Sequence, residues 1–171
     1  MFQKMIGAAR PFIIMAGVVL LFLASFYIVD SISKNKEPEP APDITGVSYD
    51  EATLYSLSEN FGATGTVLIF FDPYEEETMS LLEELIAAGG GRADIFAVSV
   101  SKEPIHAQKE RLETLAEGCR ILFDTDGEMA ITYGISGVPV TYFIDKNGMI
   151  QDAFLRGISA KTLESSFASI A

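Results

Sequence analysis

The chain has 171 residues, with 12 Lys and Arg against 24 Asp and Glu, a formal net charge of −12, and room for one ordinary domain plus an extra segment. From Val47 onward 8 Lys and Arg face 20 Asp and Glu, so the whole acidic excess lies in the C-terminal part. That balance excludes nucleic acid as a partner, because phosphate binding needs clustered cations, and it opposes a domain lying flat on anionic lipid.

The first element in chain order is apolar. Residues 1–10 carry Lys4 and Arg10, and residues 11–29, PFIIMAGVVLLFLASFYIV, contain no charge. At about 1.5 Å rise per residue this run reaches roughly 28 Å, the thickness of a bilayer's hydrocarbon core. It exceeds a signal peptide's apolar region, and Leu23-Ala24-Ser25 is a poor cleavage site. A single uncleaved anchor in the lipid bilayer is expected, with the N-terminus cytoplasmic and the rest outside. Residues 30–46 follow as a linker rich in proline and charge, which cannot bury a core and should be extended.

The domain expected over 47–171 alternates between the two hydrophobic periods. Thr66–Phe71 reads as a buried strand, and Tyr74 to about Ala88 as a helix with Leu81, Leu82, Leu85 and Ile86 on one face. Asp72 suits the N-cap of that helix and Pro73 its first turn. Asp94–Val100 is a second buried strand, Pro104–Glu117 a helix, Arg120–Phe123 a short strand and Glu128–Tyr133 a short helix. Val140–Asp145 and Met149–Leu155 flank Lys146-Asn147-Gly148 as a hairpin, and Ser159 caps a last helix. Strand-helix-strand-helix order implies parallel central strands with right-handed crossovers. The fold class is therefore α/β, a mixed central sheet flanked by helices.

This order, with ILFDTDGEMAITYGISGVPVTYFIDKNGMI over Ile121–Ile150, resembles the thioredoxin-like superfamily, and within it the membrane-anchored TlpA/ResA-like branch. The resemblance implies a cis peptide at Val138-Pro139, in a loop that faces the start of the Cys-x-x-Cys helix and offers backbone to an extended substrate. Aligning Phe70-Phe71-Asp72-Pro73 with the branch's strand end places Glu75 and Thr78 in the two cysteine slots. Disulfide exchange needs a thiolate at the helix tip and a second thiol to resolve the mixed disulfide; a carboxylate and a hydroxyl supply neither. The chain is thus expected not to be an enzyme. It is expected to be a redox-inactive, protein-binding accessory or assembly subunit of a membrane-associated complex, in the cytoplasmic membrane with its domain in the periplasm or outside.

Glu75, Glu76, Glu77, Thr78, Val138 and Pro139 are the candidate protein-binding residues. The three glutamates also suit a helix start on structural grounds, since the macrodipole favours anions there. Cys119 is a lone thiol, far in sequence from the helix tip and the proline loop. It reads as a small buried apolar residue, or as a reactive thiol in an oxidoreductase or peroxidase that borrows a partner's sulfur. A holder of exported polypeptides is a third reading. One cysteine and one histidine, His106, make no zinc site, and Asp124-Thr125-Asp126-Gly127-Glu128 lacks the remaining ligands of a calcium loop, so no metal or cofactor is expected.

Overall fold

The computed structural model of the chain describes residues 38–50 and 53–171. The segments expected as a cytoplasmic tail, 1–10, an anchor, 11–29, and a linker as far as residue 37 lie outside the described residues. Among the described residues no helix is long and apolar enough to cross a membrane.

Eight strands form one mixed sheet: β1 Glu39–Pro40, β2 Thr45–Ser48, β3 Leu54–Ser56, β4 Gly65–Phe71, β5 Ala93–Ser99, β6 Arg120–Phe123, β7 Val140–Ile144 and β8 Met149–Leu155. Their order across the sheet is β1-β8-β7-β4-β5-β6-β2-β3. β4, β5 and β6 run parallel, and β7, β8, β1 and β2 join antiparallel. The helices are α1 Glu76–Gly89, α2 Ile105–Leu112, α3 Glu128–Thr132 and α4 Ala160–Ser169, with a 3₁₀ turn at Leu57–Asn60.

β4 is buried along its whole length because both faces of the sheet are covered, as expected of a central parallel strand. Its period of two divides the core. Val67, Ile69 and Phe71 pack with Leu82 and Leu85 of α1, Leu112 of α2 and Phe167 of α4. Leu68 and Phe70 turn to the other face, towards Met129 of α3, Ile44 and Leu57. Gly65 opens β4 where the chain's C-terminal end closes in. A Cβ there would meet Ile170, with its Cβ and Cγ1 each at 2.8 Å and its carbonyl oxygen closer still.

Three expectations need correction. Residues 38–46 are not linker. They hold β1, the first half of β2 and the buried Ile44, so the compact unit begins at Pro38. Prolines and charges hid a strand that sits at the sheet's edge, where proline is tolerated. α1 starts at Glu76 instead of Tyr74, because Asp72 folds an Asx turn in which its Oδ1 accepts from Tyr74 N at 2.9 Å. α2 stops at Leu112, and tight turns carry the chain to Gly118, with Leu115 N donating to Leu112 O at 3.0 Å.

The N-terminal segment is clasped onto the domain by Asp43. Its carboxylate accepts from Ser58 N at 2.9 Å and from the hydroxyls of Ser56 and Ser58 at 2.7 to 2.9 Å. Partial burial pulls the Asp43 pKa upward, but the bonds from Ser58 and Ser56 outweigh it and hold the carboxyl below its ordinary 3.8. A depressed folded pKa means the clasp stabilises fully above the unfolded value and fades as pH falls through the folded one. Acid titration of the thermal midpoint should therefore show a loss beginning below about pH 4. Asp43→Asn should shrink that loss; an unchanged acid limb in the variant contradicts the assignment.

Candidate functional site

The sheet register builds the site. Phe70 pairs with Val140 across β4 and β7, so the next residues outward, Phe71-Asp72 and Val138-Pro139, leave the sheet side by side. Val138-Pro139 is a cis peptide. Pro139 O accepts from Arg156 N at 2.9 Å, which ties the loop to the residue after β8. The turn into α1 is held from below. Thr78 is fully buried, and its hydroxyl donates to Asp72 O at 2.5 Å and Glu75 O at 2.9 Å. Arg111 of α2 donates from Nε to Pro73 O at 2.8 Å and lays its guanidinium over the Tyr74 ring.

This sorts the candidate residues. Glu75, Glu76 and Glu77 are exposed at the tip of α1, where the positive end of the helix favours anions by about 0.3–1 kcal/mol each at low salt. Val138 is half-buried and Pro139 buried, beside the Phe71-Asp72 end of β4. Thr78 occupies its slot as an internal brace and presents nothing to a partner. Arg111, Leu155 and Arg156 were missed. Arg111 acts on a carbonyl 38 residues away, a contact that no local pattern signals.

Beside the proline loop lies a groove of about 350 Å³, with Ile135, Val138, Tyr142, Leu155 and Arg156 among its walls. Leu155 is 76% exposed. Beneath the groove, Phe70, Tyr133 and Tyr142 pack ring to ring, with centroids 5.0 to 6.4 Å apart. Tyr133 donates from its hydroxyl to Pro42 O at 2.8 Å. Burial, reinforced by Tyr142 and Asp43, raises its pKa far above the ordinary phenol range, and burial raises Tyr142 too. Both phenols therefore serve as neutral donors and apolar walls, never as phenolates at physiological pH.

Cys119 is elsewhere. It precedes β6, whose Arg120 pairs with Phe96, at the end of the parallel strands opposite to the α1 tip. Its thiol donates to Leu115 O at 3.4 Å, and burial pushes its pKa up to about 12. At neutral pH such a sulfur is a thiol and a poor nucleophile.

The family model for the AhpC/TSA family matches residues 38–153. The chain belongs to the AhpC/TSA family. Its fold is shared with solved thioredoxin-like proteins at low identity. The thioredoxin domain of thiol-disulfide oxidoreductase BVU-2223 from Bacteroides vulgatus is 18% identical, with a TM-score of 0.66 over 78% of this chain and 96% of that one. A secreted Mycobacterium tuberculosis disulfide oxidoreductase homologous to Escherichia coli DsbE is 14% identical, with a TM-score of 0.63 over 74% and 95%. StoA from Bacillus subtilis is 16% identical, with a TM-score of 0.60 over 73% and 96%. No curated protein sequence matches the chain.

The family corrects one expectation. The expectation that the chain is not an enzyme, argued from the slots at Glu75 and Thr78, is contradicted by its membership of the AhpC/TSA family, and solved proteins that share its fold are thiol-disulfide oxidoreductases. This AhpC/TSA member stands within it with a single cysteine.

Proposed function

We propose that this AhpC/TSA member uses the α1 tip and the proline loop to bind protein, as an accessory or assembly subunit of a membrane-associated complex. In this reading disulfide exchange is lost at the tip, and residues 11–29 anchor the chain in the cytoplasmic membrane with the domain on the periplasmic or outer side. The observation that carries the reading is the groove beside Val138-Pro139. It stays open, with polar and apolar groups sharing its lining and Leu155 exposed at its wall, although the turn beside it holds a carboxylate, Glu75, and a buried hydroxyl, Thr78, in the slots where disulfide exchange needs thiols. An open recess of mixed polarity with a large apolar side chain exposed at its rim suits contact with protein. The occupant is an extended segment that places an apolar side chain in the groove and a cation near Glu75, Glu76 and Glu77.

The test is capture of membrane partners by the full-length tagged chain in mild detergent. Glu75→Lys, Glu76→Lys and Glu77→Lys together should lower recovery of a stoichiometric partner at least tenfold, or about 1.4 kcal/mol, while Cys119→Ala leaves it unchanged. Undiminished capture by the reversed variant rejects the acidic tip as the contact. Loss of capture or of a cellular phenotype with folded Cys119→Ala would transfer the function to the thiol. A broad mixture of unfolded clients would favour the holder of exported polypeptides.

A further inference from the structure

Among the described residues the groove beside the proline loop has one charged residue in its wall, and it is a cation, Arg156. Composition does not favour this, because from Val47 onward 20 acids face 8 bases. The other arginines of the domain are engaged. Arg92 pairs with Glu164, Arg111 bonds Pro73 O, and Arg120 lies over Tyr55 and Phe96. Arg156 is exposed, and its side chain has no hydrogen bond, ion pair or ring contact among the described residues. It is also the only described residue other than glycine with a positive φ, 78°. Arginine fits that region poorly, whereas glycine or asparagine fits it well. An ill-suited residue kept in a recess points to a use for its side chain.

The groove around it offers donors. The amides of Ser136 and Gly137 have no hydrogen-bond partner among the described residues, and neither has the Ser136 hydroxyl. Pro139 O, by contrast, is taken by Arg156 N at 2.9 Å. A guanidinium beside unengaged N–H and O–H groups suits a carboxylate, which only accepts.

Building on the protein-binding role proposed above, we infer that the groove takes a carboxylate at Arg156, carried by the same extended segment whose cation meets the α1 tip. The sheet register sets the spacing. Phe70, Val140 and Leu155 lie in one row across β4, β7 and β8, so Phe71, Pro139 and Arg156 make the next row outward. Strands stand about 4.8 Å apart, which puts Arg156 roughly 10 Å from the end of β4, with the proline loop between them. The turn that carries Glu75 leaves from that end of β4. An extended segment rises about 3.3 Å per residue, so its acid and its base are about three to five residues apart, with the apolar residue between them. Such a segment is close to neutral, and the chain's formal charge of −12 does not repel it. A purely acidic segment meets that repulsion, and a purely basic one sets a like charge against Arg156.

The test is selection from a random peptide library displayed on phage, with the full-length chain in mild detergent as bait. Bound sequences should be enriched in Asp or Glu about three to five residues from Lys or Arg. With Arg156→Asn as bait the acidic preference should vanish, and with Arg156→Asp it should turn into a preference for a second base. Both replacements tolerate a positive φ, so their thermal midpoints should equal or exceed that of the wild type, which separates lost selection from lost folding. An amidated synthetic peptide of the selected sequence should bind the wild type at least about fivefold more tightly with Asp than with Asn in the acidic place, and Arg156→Asn should bind the two alike. If a free C-terminal carboxylate restores the Asn peptide, the site stands and its ligand is a chain end. Enrichment of apolar sequences with no acid, abolished by Leu155→Ser, overturns the carboxylate and leaves the groove as a protein site. No enrichment over an irrelevant bait overturns the protein-binding role of the groove, and the carboxylate with it.

Discussion

Replacing Phe70 by alanine is expected to remove about 3–5 kcal/mol of stability, as for buried aromatic truncations in well-packed cores. The residue is completely buried in the middle of β4, and its ring supports Tyr133 at 5.2 Å and Tyr142 at 6.4 Å. Those two rings in turn form the floor beneath the proline loop. The loss therefore combines the transfer energy of the phenyl group with a cavity that the strand cannot close, since β4 is fixed on both sides by β5 and β7. Domains of this size hold about 5–15 kcal/mol in total, so the variant should be marginal at physiological temperature. Urea titration checks it: the midpoint should fall while the slope stays the same. Phe70→Leu, which nearly fills the volume, should lose less than about 1.5 kcal/mol. Equal losses for Ala and Leu would mean that contact with the tyrosine rings, more than filled volume, sets the value. A loss below about 1 kcal/mol for Ala would contradict the packing argument.

A second consequence concerns the site. With its floor gone, Tyr133 loses its position to donate to Pro42, and the N-terminal segment loses one of its attachments. Near-ultraviolet circular dichroism should report this directly, because the chain has six tyrosines and no tryptophan to mask them.

The parts of this fold that were legible in the sequence share a physical cause. β4, β5 and β8 emerge within one residue of expectation because each is a dense apolar or alternating run bounded by polar residues or glycine. The β7–β8 turn was legible because Gly148 supplies a positive φ and Asp145 accepts from Asn147 N and Met149 N. Ser159 caps α4 as read, through Thr162 N.

What stayed hidden depends on contacts made at long range. β1 is two residues long between prolines, and only its pairing with β8 makes it a strand. β2 and β3 are short and partly exposed. The tip of α1 begins late because Asp72, Thr78 and Arg111 together close its carbonyls and amides. Two of those three lie in the local sequence, but their mutual geometry does not. The same holds for the candidate site. Val138-Pro139 and the glutamates could be named from the chain order, but the groove beside them is made by Leu155 and Arg156, which arrive from the far end of a hairpin.

Asp124→Ala is expected to remove about 2–4 kcal/mol, by stranding two buried amides at about 1–3 kcal/mol each. The carboxylate is 1% exposed. Its Oδ1 accepts from Met129 N at 3.1 Å and its Oδ2 from Ala130 N at 2.9 Å. Both donors belong to the first turn of α3, whose amides have no partner within the helix. Gly127, just before α3, has no side chain to cap with and has φ of 83°, so Asp124 supplies at a distance the acceptors a capping residue would provide. Asn at this position keeps one acceptor oxygen and loses the other, so Asp124→Asn should fall between wild type and Ala. The ordering is the diagnostic result. If Asn is as damaging as Ala, the charge and not the acceptor count holds α3; if both are harmless, the amides find water and the buried cap has no role. Because α3 carries Met129 into the core and leads directly into Tyr133, fraying of this helix should also open the groove. Hydrogen exchange at Met129 and Ala130 should therefore accelerate in the Ala variant more than at the amides of β4.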